Sequence, residues 1–264
     1  MKAKDTLSPS TPKLSSYPST PEKMRLITAP DYQQHEPFLR QLPQLFAQGQ
    51  GTVIYQQRNE VRRFEHEGTV MMAKRYKRVN AVQQVVYSTW RRTKACRAFL
   101  FAQEFRRRGI DTPHEIAYIE TTNALGLFTV GYFVSSFVEG TETSLLLREV
   151  QDYPRDLADA VAAHVVLMHS RGVLHGDLNL SNFLCRREDG AYRFSVIDIN
   201  RSHFTTGMPT DEQCLQNMVR ITHRRDLYDY LIRSYARQRG WDPSATSARA
   251  LALLDAFEHR RFKL

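Results

Sequence analysis

From Gly51 onward, apolar and polar residues alternate in short runs. The stretches "GTVIYQQR", "NEVRRFEHEG" and "TVMMAKRY" are each of strand length and are parted by turn residues, which predicts an antiparallel meander of three strands. At Ser88 the period changes. In "STWRRTKACRAFLFAQEFRRRG", Ala98, Phe101, Ala102 and Phe105 recur at helical spacing, and Gly109 stands where a helix stops. "HEIAYIE" and "LGLFTVGYFVSSFV" return to strand patterning, so the first half reads βββαββ. In the second half, "RDLADAVAAHVVLMHSRG" gathers Leu157, Val161, Val165, Val166 and Met168 on one side of a helix that ends at Gly172. A polar turn at "RREDGAY", a strand "RFSVIDI" and helices around 211–238 and 245–259 complete the chain. The expected fold class is α+β. A five-stranded antiparallel lobe with one main helix (24–138) is joined to a mostly helical lobe (139–264), with a cleft between them.

Residues 1–23 are rich in Ser, Pro, Thr and Lys without apolar periodicity, and read as a disordered tail. That tail lacks the apolar core of a secretory signal, and no window approaches 18 consecutive apolar residues, so a cytosolic protein is expected. With 42% hydrophobic and 25% charged residues, the 264-residue chain is globular rather than disordered or membrane-spanning. Cys96, Cys185 and Cys214 are odd in number and widely spaced, which argues against a disulfide framework or a zinc site. The net charge of +9 attracts polyanions: nucleic acid, an anionic membrane face, or a phosphorylated or carboxylated substrate. Charge alone does not choose among them, and any single Arg cluster reads equally as a solvated helix face.

Candidate chemistry centres on "LHGDLNLSNFL". Residues His175 to Asn182 fit H-x-D-L-x-x-x-N, the catalytic-loop pattern of kinases. Phosphoryl transfer needs an oriented hydroxyl and metal ions that neutralise phosphate charge. Asp177 is the candidate base that accepts the acceptor's proton, and Asn182 can turn its amide oxygen to Mg²⁺. Asp198, 16 residues after Asn182 at the end of the apolar strand "FSVIDI", is the second candidate metal ligand. Lys74 follows an apolar run on the third strand, as in the V-A-I-K pattern, and is the candidate cation for the α/β-phosphates. Strand alternation puts Met72, Lys74 and Tyr76 on one face, with Met71, Ala73, Arg75 and Lys77 on the other. The bland alternatives are a polar helix-capping turn for the loop, a buried acid for Asp198 and a solvated strand lysine for Lys74.

Two parts of the pattern differ. The first hairpin turn, "QQRNEVR", contains no glycine, so the amides of Arg58 and Asn59 or the Arg58 guanidinium are the candidates to meet phosphate. Glu104 is the single acid between Ser88 and Arg108, and is a candidate partner for Lys74; it could equally pair with Arg108 one turn on.

"LHGDLNLSNFL" with "VIDINRSHF", "RGIDTPHEIAYIE" and "GLFTVGYFVS" resembles the lipopolysaccharide core kinases, sugar kinases of protein-kinase-like fold. The likeness spans about residues 51 to 235, with Asp-Ile-Asn-Arg in place of Asp-Phe-Gly. It implies phosphorylation, dependent on ATP and Mg²⁺, of a heptose or a 3-deoxy-octulosonic acid (Kdo) at the cytoplasmic face of the inner membrane. It further implies Asp177 as base, Asn182 and Asp198 as metal ligands, and Lys74 as the phosphate lysine. The family's helix glutamate sits about one turn before Glu104, near Leu100. An anionic lipid-linked acceptor at an anionic membrane suits the +9 charge, with peripheral membrane contact and Arg201 as a candidate acceptor-side cation. His175 reads as a scaffold that bonds backbone near Asp198. Two alternatives stand beside this reading: a small-molecule kinase of aminoglycoside or choline type, and a catalytically silent pseudokinase that binds nucleotide or a partner. A nucleic-acid partner is not expected, because basic charge comes without a recognised motif.

Overall fold

The computed structural model describes residues 23–77, 80, 83–84, 86–87 and 92–262. The expected disordered tail up to residue 22, and the expected helix start over 88–91, lie outside the described residues. Eleven strands are described: β1 (Lys23–Thr28), β2 (Thr52–Gln56), β3 (Glu60–His66), β4 (Thr69–Arg75), β5 (Glu115–Thr122), β6 (Phe128–Ser136), β7 (Thr141–Glu142), β8 (Val173–Leu174), β9 (Phe183–Glu188), β10 (Ala191–Val196) and β11 (His203–Phe204).

Six of them form an antiparallel sheet in the order β1-β5-β6-β4-β3-β2. The sequence pattern led to five strands; the sixth is β1, which begins at Lys23, inside the stretch read as tail, and pairs with β5 from Lys23↔Thr122 to Thr28↔Ala117. The segment that follows, a 3-10 turn over Pro30–His35 and short helices over Glu36–Leu39 and Leu42–Ala47, was not foreseen either. It covers one face of the sheet. Leu39, Leu42 and Phe46 pack there with Phe64, Met71, Ala73, Ile116 and Val134. Met71 and Ala73 are buried in that layer, so the alternation of β4 turns Lys74 to the opposite face.

The opposite face is covered by the helix Lys94–Arg107, whose Ala95 and Phe99 join Tyr76 and Tyr118. The described helix begins at Lys94, where the Thr93 hydroxyl caps it, accepting from the Cys96 amide at 3.1 Å. It stops in a Schellman turn. Gly109 has φ 71°, its amide bonds the Arg106 carbonyl, and the Ile110 amide bonds that of Phe105.

The rest of the chain is mostly helical. Arg155–Ser170 buries Leu157, Val161, Val165 and Met168 against the helix Arg225–Arg239, which in turn packs on Pro243–Phe262. The single helix expected around 211–238 is two, Asp211–Met218 and Arg225–Arg239. A tertiary bond accounts for the break: the Ile221 carbonyl accepts from the Leu180 amide at 3.1 Å and would otherwise belong to a helix ladder. β9 and β10 make a hairpin after the 175–182 loop, and β8 pairs with β11.

Candidate active site

The loop that opens at β8 is organised around one buried imidazole. His175 is 1% exposed; its Nε2 lies 3.0 Å from the Ile197 carbonyl, and its Nδ1 accepts the Asp177 amide at 3.1 Å. A carbonyl can only accept and an amide can only donate, so the ring is the neutral tautomer with the proton on Nε2. Burial holds its pKa below the ordinary value, against the opposing pull of the Ile197 carbonyl and of Asp198 and Asp177. His175 thereby couples the backbone just before Asp198 to the backbone of Asp177.

Gly176 explains why this loop reads His-Gly-Asp. A Cβ there would fall 2.0 Å from the Arg201 carbonyl oxygen, so the two backbones approach as no other residue permits. Asn182 extends the same unit. Its side-chain amide donates to the Asp177 carbonyl at 2.8 Å, and its own carbonyl accepts from the Ile197 amide at 2.9 Å. The Asp177 carboxylate is half-buried between two arginines, with Arg220 Nη1 at 3.2 Å and Arg201 Nη1 at 4.0 Å.

Asp198 terminates the strand run in left-handed backbone, φ 56°, a conformation that non-glycine residues rarely hold. Its Oδ1 receives Lys74 Nζ at 2.7 Å and Asn200 Nδ2 at 2.8 Å. Burial alone would raise the Asp198 pKa; the Lys74 ammonium, with His175 and Arg201 behind it, brings it below the ordinary carboxylate value. Tyr76 lies beneath, its ring 5.5 Å from Lys74 Nζ, and burial together with Asp198 pushes its hydroxyl pKa well up.

The helix that faces this carboxylate offers cations. Lys94 has its pKa lowered, first by burial and then by repulsion from Arg58, Arg201 and Arg97, with Asp198 opposing. Lys74, Lys94 and Arg201 thus act on the Asp198 carboxylate, with Arg58 and Arg97 next to Lys94, an arrangement that suits a polyphosphate.

Lys74, Asp177, Asn182, Asp198, His175 and Arg201 therefore come together, and Arg58 reaches them through its proximity to Lys94. Asn59 is used differently: its Oδ1 accepts from the Lys77 amide at 3.2 Å and braces the turn against the chain leaving β4. The expected pairing of Glu104 with Lys74 is not formed. Glu104 binds Arg107 through Nε at 2.7 Å and Arg108 through Nε at 2.6 Å, while Lys74 is bonded to Asp198. The physical reason is helix phase. The buried stripe Ala95, Ala98, Phe99, Ala102 and Phe105 places Glu104 beside the arginines three and four residues on. Glu104 orients Arg108, whose Nη1 reaches the carbonyls of Arg171, Gly172 and Thr205 and so ties the helix end to the β8 and β11 segments.

Sequence reasoning missed Lys94, Arg97, Asn200 and Arg220. Asn200 has a visible signal, two residues after Asp198; Arg220 has none, because the expected helix runs straight through its position. A cleft of about 930 Å³ lined by Leu146, Val150, Leu157, Cys185 and Tyr192 contains none of these groups, so charge and hydrogen bonding locate the site better than concavity.

A twisted antiparallel sheet with one helix laid on it, followed by a loop, a hairpin and a helical part, is a protein-kinase-like architecture. The family model described as lipopolysaccharide kinase (Kdo/WaaP) matches residues 46–235. The chain belongs to that family, and is a phosphotransferase that acts on lipopolysaccharide. Among solved structures, "WaaP in complex with acyl carrier protein" is similar at 18% identity and TM-score 0.58, covering 90% of this chain and 100% of that one. A Toxoplasma structure titled as a divergent kinase lacking the glycine-rich loop shows 14% identity and TM-score 0.42, covering 85% and 80%. A comparison with curated protein sequences gives no match.

Proposed function

We propose that this chain transfers the γ-phosphoryl group of ATP to a hydroxyl of a heptose or Kdo unit in the lipopolysaccharide inner core. Asp177 is the base: as the acceptor oxygen bonds to phosphorus and the bond to the ADP oxygen breaks, the hydroxyl proton passes to its carboxylate. The observation that carries this reading is the His175 bridge between Asp177 and Ile197, since it holds base and strand-end carboxylate in one rigid unit.

The oxygen donors fit Mg²⁺. Asp198 turns a carboxylate into the cation-rich field, and Asn182, its nitrogen engaged by the Asp177 carbonyl, leaves its amide oxygen as a ligand. The metal would neutralise charge on the phosphates. Lys74 then has the α/β-phosphates in place of Asp198, and Lys94, Arg97 and Arg58 do the work of the absent glycine-rich turn. Residues 24–138 thus form the nucleotide side and 139–264 the acceptor side. Arg201 and Arg220 flank the base and suit an acceptor that carries a carboxylate or phosphate. No helix among the described residues is long and apolar enough to cross a membrane. A net charge of +9 supports, as part of this reading, peripheral contact with the anionic inner face of the inner membrane.

The decisive experiment follows ATP-dependent phosphate incorporation into purified core lipopolysaccharide. Wild type should label it, and Asp177→Asn should lose about 10³-fold in rate while keeping its unfolding temperature and ATP affinity. ATP binding without transfer to any candidate acceptor would instead identify a pseudokinase.

A further inference from the structure

A second cluster of metal-capable side chains lies at the other end of β4, independent of the kinase reading. Lys74 is near one end of the strand; Thr69 begins it about 16 Å away. β3 and β4 are joined through Glu67 and Gly68, both with positive φ, 50° and 74°. Such a two-residue turn favours Asn-Gly or Asp-Gly, so a glutamate there is a strained choice. What its side chain meets is two histidines.

His66 ends β3, and His35 ends the 3-10 turn opposite. Their Nδ1 atoms are 3.1 Å apart, and Glu67 Oε2 is 3.8 Å from His35 Nδ1 and 4.0 Å from His66 Nδ1. A tetrahedral ion holding imidazole nitrogen and carboxylate oxygen at about 2.0–2.2 Å separates its ligand atoms by about 3.3–3.5 Å. The pair of nitrogens is already near that spacing. Glu67, 64% exposed, needs to move by about half an ångström, which a solvated carboxylate does by side-chain rotation.

Both rings are already oriented. His35 is buried, and its Nε2 lies 3.2 Å from Thr69 Oγ1. When Nε2–H donates to that hydroxyl, Nδ1 is left unprotonated toward the cluster, the outer-shell arrangement that aims a ligating imidazole. His66 stacks on Phe38 with ring centroids 4.5 Å apart and planes at 17°. Its side chain is 29% exposed, so its Nε2 edge can carry the proton and leave Nδ1 as a donor.

We propose that His35, His66 and Glu67 bind one divalent transition-metal ion, Zn²⁺ by the nature of the donor set, with solvent completing the coordination. Two imidazoles and one carboxylate suit a borderline cation and not the hard Mg²⁺ of phosphoryl transfer. The ion pins the 30–47 segment to the β3–β4 turn, and so secures the layer of Leu39, Leu42 and Phe46 beneath Met71 and Ala73. Its effect is on the stability of the sheet that carries Lys74.

The test is a titration of tag-free full-length protein with Zn²⁺ against a chromophoric chelator, with the thiols alkylated beforehand. One Zn²⁺ per chain is expected. His66→Gln should weaken binding about 100-fold and Glu67→Gln about 10-fold. Glu67→Gln keeps the turn and alters an exposed side chain, so it guards against simple unfolding. Zn²⁺ should also raise the unfolding temperature of wild type, reversibly with EDTA, and leave that of His66→Gln unmoved. Absence of Zn²⁺ binding by the alkylated wild type, or wild-type affinity in both variants, overturns the proposal.

Discussion

The loop around Asp177 and the cation-rich surface facing it are built on opposite plans. His175 is buried and bonded at both nitrogens, Gly176 touches the Arg201 backbone, and Asn182 is bonded through both its amide and its carbonyl. Arg58 and Lys94 instead come from a hairpin turn and a helix start, on long side chains whose charges repel one another across the gap. Neutral hydrogen bonds and close backbone contact specify position to a fraction of an ångström; a group of cations specifies only a field. Proton transfer requires the first, while binding a polyphosphate requires only the second. The glycine-free turn is consistent with that division, since a charge field can replace amide donors where it cannot replace a base.

The largest expected effect comes from breaking the rigid side. Gly176→Ala puts a methyl group 2.0 Å from the Arg201 carbonyl, and neither backbone can yield without moving Asp177 or Arg201. It should cost about 3 kcal/mol in denaturant unfolding, the range of severe overpacking, and lower phosphate incorporation by about 100-fold in the molecules that remain folded. A stable and active variant would mean that the loop tolerates displacement. On the other side, Lys94→Ala should raise KM for ATP about 10-fold with kcat nearly unchanged, and Arg97→Ala should do the same. The effect should shrink as salt is raised, because a field is screened and a buried hydrogen bond is not. A fall in kcat at constant KM would show that Lys94 is a positioning element, and the contrast between the two regions would fail.

The same contrast explains what could be read from the chain. Asp177 and Asn182 belong to one loop, and Asp198 ends the hairpin that follows, so sequence spacing is close to spatial arrangement. Lys74 was legible from strand alternation because Met71 and Ala73 are buried on the other face. Arg220 reaches Asp177 only because a tertiary bond to Leu180 interrupts a helix at "VRITHR", which contains neither glycine nor proline. β1 is missed for a different reason: "KMRLIT" is only six residues long and follows directly on a Ser- and Pro-rich stretch, and no element is expected between Met24 and Gln50. For Glu104 the sequence leaves two partners open, Lys74 and the arginine at i+4, and the buried stripe of the helix decides for the local pair.

Glu104 gives the smallest prediction and the one that separates structure from catalysis. Its carboxyl pKa falls from the ordinary 4.5 to about 2, chiefly through the hydrogen bond from Arg107; partial burial opposes this, and Arg108 adds to it. A carboxyl whose folded-state value is depressed stabilises the fold above its ordinary pKa, and that stabilisation is lost as pH falls through the folded value. Glu104→Gln should therefore lower the unfolding temperature by about 2–4 °C at pH 7, with the gap to wild type closing between pH 4.5 and about 2. Because Glu104 serves Arg108 and not Lys74, phosphate incorporation per folded molecule at pH 7 should stay within about two-fold of wild type, whereas a lost Lys74 partner would lower it far more. A large fall in activity with an unchanged unfolding temperature would return Glu104 to the phosphate side, and would mean that the Lys74–Asp198 pair exchanges for a Lys74–Glu104 pair when nucleotide binds.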